Sequence, residues 1–476
     1  MAVGEGVLRR AATYGAFPVV ALAATVMLEQ GERGSLSQAA DGIQAHFHVS
    51  DLWIGALPSA MTIIGVIGSI PFGQLADHRR RTWLLAAAMG FWTLVMGLSA
   101  LAPTFALLFI TRLGVGVVEA NGPASISLLS DYYPVRERAR RIGLYNSGAL
   151  LGSALGLGLA GVFVDSFGWR AAFWMWIPFG LTTVYLLLRA PEPTRGEQDA
   201  DFEHEIGLGE VPVETLDASQ LAATLELPPA TRVGTLDYDN CDWREAYREI
   251  FRIRSMWFGV LAITIAQAPL VGLGFWGVPY FKEVYKLSAS AAGAYVIVFG
   301  LGAGVGVVCG GFVADHYLKR GIVNARIYCV VLSSLIATAL LEPAFLSTNL
   351  AVTVPLFLVA GLFLTLPLAP ADALLTDVVV APLRGRAAAL RSVVRSLTGL
   401  MPLMIGGLKA LFDLRVALLL VIPIYAVGGL IMLLAARTYA SDLAFVVAET
   451  RRLGTLEPVS GPKPDTGVSN VGGSEA

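Results

Sequence analysis

The sequence predicts an all-α membrane protein: twelve transmembrane helices in two pseudo-symmetric six-helix bundles. Three observations carry this. The 476-residue chain is 55% hydrophobic and only 15% charged, with a mean hydropathy of +0.66, whereas a soluble domain carries about a quarter charged residues. Apolar runs recur from the N-terminal region to Arg437, each near the roughly 20 residues that cross hydrocarbon. A polar stretch at 190–250 divides six runs from six.

In chain order the spans fall at 12–37, 51–73, 83–102, 105–130, 142–164 and 170–189, then at 256–279, 288–314, 325–345, 350–376, 387–410 and 416–436. The connections alternate in basic content. One set holds His78 to Arg81, Arg136 to Arg141, Arg244 to Arg254, Lys319 to Arg326, and Arg384 with Arg386; the other is nearly free of Arg and Lys. Positive loops stay in the cytoplasm, so both termini are expected there. Abundant Arg, Ala and Gly point to a GC-rich bacterial genome, hence a bacterial inner membrane. The first run carries no small-residue cleavage site and is expected to stay as a helix.

This organisation predicts an N-terminal bundle over 1–190, a cytoplasmic linker over 191–252, a C-terminal bundle over 253–440 and a partly disordered tail over 441–476. The linker begins acidic and without apolar periodicity (PEPTRGEQDADFEHE). Its end puts Trp243, Ala246, Tyr247, Ile250 and Phe251 on one face, an amphipathic helix near 243–253. Such a helix lies on the inner membrane surface or packs under the bundle.

The net charge of −2 says nothing for nucleic acid, since the basic residues are not gathered on one surface, and no nucleic-acid partner is expected. The three cysteines lack metal-ligand spacing, so no metal or other cofactor is expected. The glycine runs SGALLGSALGLGLAG and GLGAGVGVVCGG contain no nucleotide loop. Small residues four apart let membrane helices approach closely instead.

The two halves share a motif. GQLADHRRR (Gly73 to Arg81) and GFVADHYLKRG (Gly311 to Gly321) each place a Gly at a helix exit, an Asp four residues on and a basic cluster beyond. Asp77 and Asp315 can cap the next segment or pair with Arg, a cytoplasmic lock between the halves with Gly73, Arg79 and Arg81, while Asp377 with Arg386 reads as a second inner lock in the C-terminal half. Within the fourth run, Arg112 and Glu119 stand two helical turns apart on one face, roughly 10 Å along the axis. Intramembrane charges are costly and usually face a cavity or a partner. Counting from the span ends puts Glu32 level with Arg112. Asn146, Gln267 and Asp372 are further candidate cavity residues, and Trp276 belongs to an aromatic surface with Phe275, Tyr280, Phe281 and Tyr295.

The repeated loop resembles the signature G-x-L-A-D-R-x-G-R-[RK] of the major facilitator superfamily, matched by Gly73, Leu75, Ala76, Asp77 and Arg81. The stretch RLGVGVVEA (Arg112 to Ala120) resembles the Spinster-like branch, in which Glu32-Arg33 falls at the usual Asp-Arg pair. Span five resembles the antiporter motif of drug exporters through Gly148, Gly152 and Gly156, with Ser153 replacing its proline. These resemblances imply a non-enzymatic, monomeric secondary transporter working by alternating access. The expected activity is proton-coupled transport of lysophospholipid or a related amphipathic anion. A proton/multidrug antiporter and an organic-anion (sugar-acid) symporter are the alternatives. Glu119 and Glu32 are then the proton sites, with Arg112, Arg33, Glu119, Asn146, Gln267 and Trp276 toward the substrate.

Overall fold

The computed structural model describes residues 14–118, 121–133, 135–194, 228, 236 and 242–452. Among them the secondary structure is helical, without strands. The first half contains α1 (Phe17–Phe47), α2 (Asp51–His78), α3 (Arg81–Ala100), α4 (Phe105–Val118), α5 (Gly122–Tyr132), α6 (Val135–Ala154), α7 (Ala160–Phe167), α8 (Ala171–Trp174) and α9 (Ile177–Arg189). After α10 (Trp243–Arg252) come α11 (Arg254–Tyr285), α12 (Ala289–Lys319), α13 (Ala325–Leu346), α14 (Leu350–Thr365), α15 (Leu368–Asp377), α16 (Arg384–Arg395), α17 (Met401–Leu411) and α18 (Leu414–Arg452).

Ten helical stretches are long and apolar enough to cross a bilayer. The other two expected spans are α1, whose polar middle (Glu29, Gln30, Glu32, Arg33) lowers its apolarity, and the α4–α5 pair. Several spans read as single helices are interrupted. Pro178 and Pro402 open α9 and α17 in their first turns, where a missing N–H costs nothing. The fifth span contains a π-helical segment, Leu155–Leu159, between α6 and α7. The first span runs ten residues beyond its expected end at 37, because Ala39, Ala40 and Ile43 are still buried.

Glycine spacing sets the closest helix contacts. A Cβ at Gly148, Gly152 or Gly156 would lie 2.2, 2.1 or 2.0 Å from the carbonyl oxygens of Ala23, Met27 and Gly31, so α6 and α1 touch backbone to backbone. Gly302, Gly306 and Gly310 do the same against Leu358, Leu362 and Leu366. The sequence expectation of small-residue packing holds for both runs.

The arginine-rich end is braced within each half. Arg81, at the start of α3, pairs with Asp131 at the end of α5 and donates to Ser127 at 3.0 Å. Arg326, at the start of α13, pairs with Asp377 at the end of α15 and with Asp315 of α12 at 3.2 Å. The two braces occupy equivalent places, the structural counterpart of the repeated motif. Both lie inside a half, whereas the sequence reading had the loop motifs with Arg81 and Asp315 joining the two halves. Tyr439 also donates to Asp377 at 3.0 Å.

Glu192 follows α9 and accepts the backbone N–H groups of Arg81 and Thr82 at 3.0 and 2.8 Å, capping α3. Burial opposes its charge, but hydrogen bonds from Thr82 and Arg81 outweigh that and hold its carboxyl below the ordinary value. A lowered folded-state pKa contributes stability above the unfolded carboxylate range, lost as pH falls through the folded value. Glu192→Gln is expected to lower Tm at neutral pH, with the gap from wild type closing on acidification. A gap independent of pH would contradict this.

The amphipathic helix is α10, and it packs under the bundle. Ala246 and Ile250 are fully buried in a core with Tyr439, Leu443, Phe445 and Val446. Phe251, exposed on the helix itself, stacks on Trp257 at 4.9 Å. The tail boundary at 441 is corrected: α18 continues to Arg452, and buried Asp442 accepts the backbone and hydroxyl hydrogens of Ser255 at 3.1 and 2.8 Å. The linker over 195–241, apart from 228 and 236, and the tail from 453 lie outside the described residues.

Candidate functional site

The halves meet at the arginine-poor end. Asp165 of α7 accepts the N–H groups of Ala289 and Ser290, both at 2.9 Å, where the partial positive charge of the α12 N-terminus favours a carboxylate. Lys282 of α11 pairs with Asp41 of α1 at 2.7 Å. Lys409 of α17 pairs with Asp51 of α2 at 2.9 Å and with Glu283. Beneath these links Ser37 donates to the Phe275 carbonyl. Gln38 donates to the Leu157 carbonyl in the π segment, where altered pitch frees acceptors.

Below this closed end lies a cavity of ≈ 340 Å³ between the halves. Its polar lining is Gln30, Arg33, Thr62 and Ser153, and its apolar lining includes Met61, Leu270, Phe275 and Phe299. A second, almost wholly apolar crevice of ≈ 540 Å³ runs between α6 and α12. The two spaces share Ser153, Leu157, Val296 and Gly300 as lining, so they adjoin. The outer crevice wall carries Leu150, Leu301 and Val308, each more than 60% exposed.

Glu32 and Arg33 are neighbours that turn opposite ways, about 100° apart on the helix. Arg33 faces the cavity. Glu32 points into the first bundle and pairs with Arg112, both 0% exposed. Arg112 also donates to Ser99 of α3 and lies 4.8 Å over the Phe173 ring of α8. The expected level of Glu32 and Arg112 is therefore met. Arg112 is not in the cavity wall, however, because α1 stands between them. Glu119 lies outside the described residues.

Other candidates separate similarly. Trp276 is 1% exposed and away from the cavity; its indole donates to the Pro402 carbonyl at 2.9 Å, beneath the Lys409 ammonium. Of the five aromatics, only Phe275 lines the cavity; Tyr280 and Phe281 pack with Phe345 and Phe357. Asn146 is exposed on α6, one turn before the crevice begins at Leu150. Gly73 and Asp77 fall in the last turns of α2, their side-chain contacts outside the described residues. Arg79 is the exposed C-cap of α2, and Arg386 is exposed in the first turn of α16.

Sequence reasoning missed three polar residues. Glu29 accepts from Asn121 at 2.7 Å; the spacing LEQGER, with Glu29 one turn before Arg33, was the available signal. Arg395 of α16 pairs with Asp372 at 2.9 Å and donates to Gln267 at 3.0 Å. No group of three or more metal-ligating side chains occurs among the described residues.

Two helical bundles with a central cavity, closed at one end by bonds between them, define a multi-pass membrane protein. The Major Facilitator Superfamily profile matches residues 22–401, and the chain belongs to that family. It is similar to a probable L-galactonate transporter of Escherichia coli (strain K12), 25% identical over 303 residues, 63% of this chain and 62% of that one. It is also similar to a probable sphingolipid transporter, spinster homolog 3 of Arabidopsis thaliana, 25% identical over 290 residues, 58% and 53% of the two chains. The matches therefore span less than two thirds of these relatives. A bacterial homolog of the human lysosomal transporter Spinster, solved inward-facing and unoccupied, superposes with a TM-score of 0.74 at 20% identity, covering 90% of this chain and 98% of that one.

Proposed function

We propose that this protein is a proton-coupled transporter of an amphipathic anion of the lysophospholipid kind, working by alternating access in a bacterial inner membrane. The observation that carries the reading is that the cavity with its polar patch adjoins the apolar crevice, four residues lining both. A head group fits among Gln30, Arg33, Thr62 and Ser153, while an acyl chain lies between α6 and α12 toward the bilayer. The arginine-rich loops support a cytoplasmic placement of the open end and both termini, an inward-facing state. No cofactor takes part, the proton gradient drives the cycle, and a monomer contains the whole site.

Glu32 and Glu119 are the proton-accepting carboxylates in this reading. Arg112 answers to Glu32 inside the bundle, and Arg33 answers to the substrate anion. One rigid helix carries both Glu32 and Arg33, so loss of the Glu32–Arg112 bond on protonation can rotate or tilt Arg33 in the cavity.

The crevice glycines test the lipid part. A Cβ at Gly304 meets nothing within 4 Å, whereas one at Gly302 would lie 1.9 Å from the Leu358 carbonyl oxygen. Gly304→Leu is expected to fold, to fill the crevice and to lower uptake of oleoyl-lysophosphatidylglycerol into proteoliposomes by about tenfold. Gly302→Leu is expected not to assemble. If Gly304→Leu leaves lysolipid uptake intact, the tail does not use the crevice.

A sugar-acid symporter is the second reading, favoured by the hydroxyl and amide lining, which suits a polyhydroxylated carboxylate. Galactonate uptake without lysolipid uptake would select it.

A further inference from the structure

We propose that Arg395 is a second head-group cation, supplied by the C-terminal half opposite Arg33, so that an anionic group of the substrate bridges the two halves. The proposal rests on the reading of the cavity as an anion site. It names a specificity-determining residue there.

Helical phase carries the argument. Leu270, Val271 and Gly274 of α11 line the cavity, and Gln267 precedes them by three, four and seven residues, on the same face. Arg395 donates to Gln267 at 3.0 Å, so its guanidinium lies on that face, toward the arginine-rich end. The guanidinium is half-buried and its partner Asp372 more exposed, at 29% and 46%. A fully internal brace, such as Arg112 with Glu32, has neither side chain exposed.

The repeat gives a second argument. Gln267 holds in α11 the place of Glu29 in α1, at the sequence offset that relates Asp315 to Asp77. The first half has its cation one turn above Glu29, at Arg33. The second half has no basic residue at the corresponding place, Val271. Its cation comes instead from α16, as Arg395. Asp372 holds Arg395 at 2.9 Å, and an incoming phosphate or carboxylate competes for the same N–H groups. A planar guanidinium can pass between two such acceptors with little reorientation.

The test uses the full-length protein and titrates binding of oleoyl-lysophosphatidylglycerol, with monooleoylglycerol as the uncharged counterpart. Arg395→Gln is expected to weaken the lysolipid by about tenfold while monooleoylglycerol is unchanged. Arg395→Lys should recover part of the loss. Asp372→Asn should act oppositely and tighten lysolipid binding, since it removes the competitor. Unchanged lysolipid affinity in folded Arg395→Gln, or an equal loss for the neutral lipid, overturns the proposal. So does weaker binding in Asp372→Asn, which would make the pair a helix brace and which stays decisive if Arg395→Gln does not fold. If wild type binds galactonate and not the lysolipid, the lipid reading fails alone, and the same variants are judged with galactonate. Binding of neither anion overturns both.

Discussion

Arg112→Met is expected to lose most folded protein, and Glu32→Gln nearly as much, while the double variant Glu32→Gln/Arg112→Met recovers stability. The pair is wholly inside the first bundle, joined to α3 through Ser99 and to α8 through Phe173. Breaking a buried pair strands one charge and costs about 3–5 kcal/mol, whereas replacing both partners by apolar or neutral groups is often nearly neutral. Thermal unfolding and gel filtration of the three variants measure this directly. If the single variants are as stable as the double, the pair contributes nothing to the fold. Uptake at a fixed proton gradient then separates structure from coupling. The double variant should transport with weakened proton dependence, Glu119 being left; proton dependence equal to wild type in it would assign the pair a bracing role alone.

The second large effect concerns the closed end. A triple variant, Asp41→Asn/Asp165→Ala/Lys409→Gln, is expected to shift the protein toward the opposite-facing conformation. Each link joins the two halves, and each is partly solvated. At about 1 kcal/mol per link, the sum of about 3 kcal/mol changes the conformational ratio on the order of a hundredfold. Spin labels at Leu101 and Leu411, highly exposed residues in opposite halves, report the opening as a longer distance. An unchanged distance distribution in the triple variant would mean that apolar contacts of α2 with α17, where Gly55 meets the Pro402 carbonyl and Gly406 that of Asp51, hold the end alone.

Much of the fold was legible because lipid imposes simple rules. Span length, the linker and the alternation of basic loops follow from hydrocarbon thickness and the positive-inside rule. The glycines of α6 and α12 were read as close-packing residues, and their backbone contacts agree. Helix interruptions were less legible. A π segment or a proline-opened turn changes no hydropathy, so spans containing α6–α7 or α16–α17 read as continuous.

For the site, the sequence by itself determined that Glu32 and Arg112 stand at one depth, because depth follows from residue count and a 1.5 Å rise. It also marked Arg33 as a cavity candidate. Only the tertiary structure decided which way each charge faces. Rotation of α1 about its axis turns Glu32 inward to Arg112 and Arg33 outward to the cavity, and that rotation is set by packing of Gly31 and Gly34 against Trp176 and the Gly156 backbone. Trp276 lost its expected standing for the same reason. An aromatic ring and an arginine look alike to a hydropathy count whether they face a neighbour or a cavity; the neighbour's surface chooses between them.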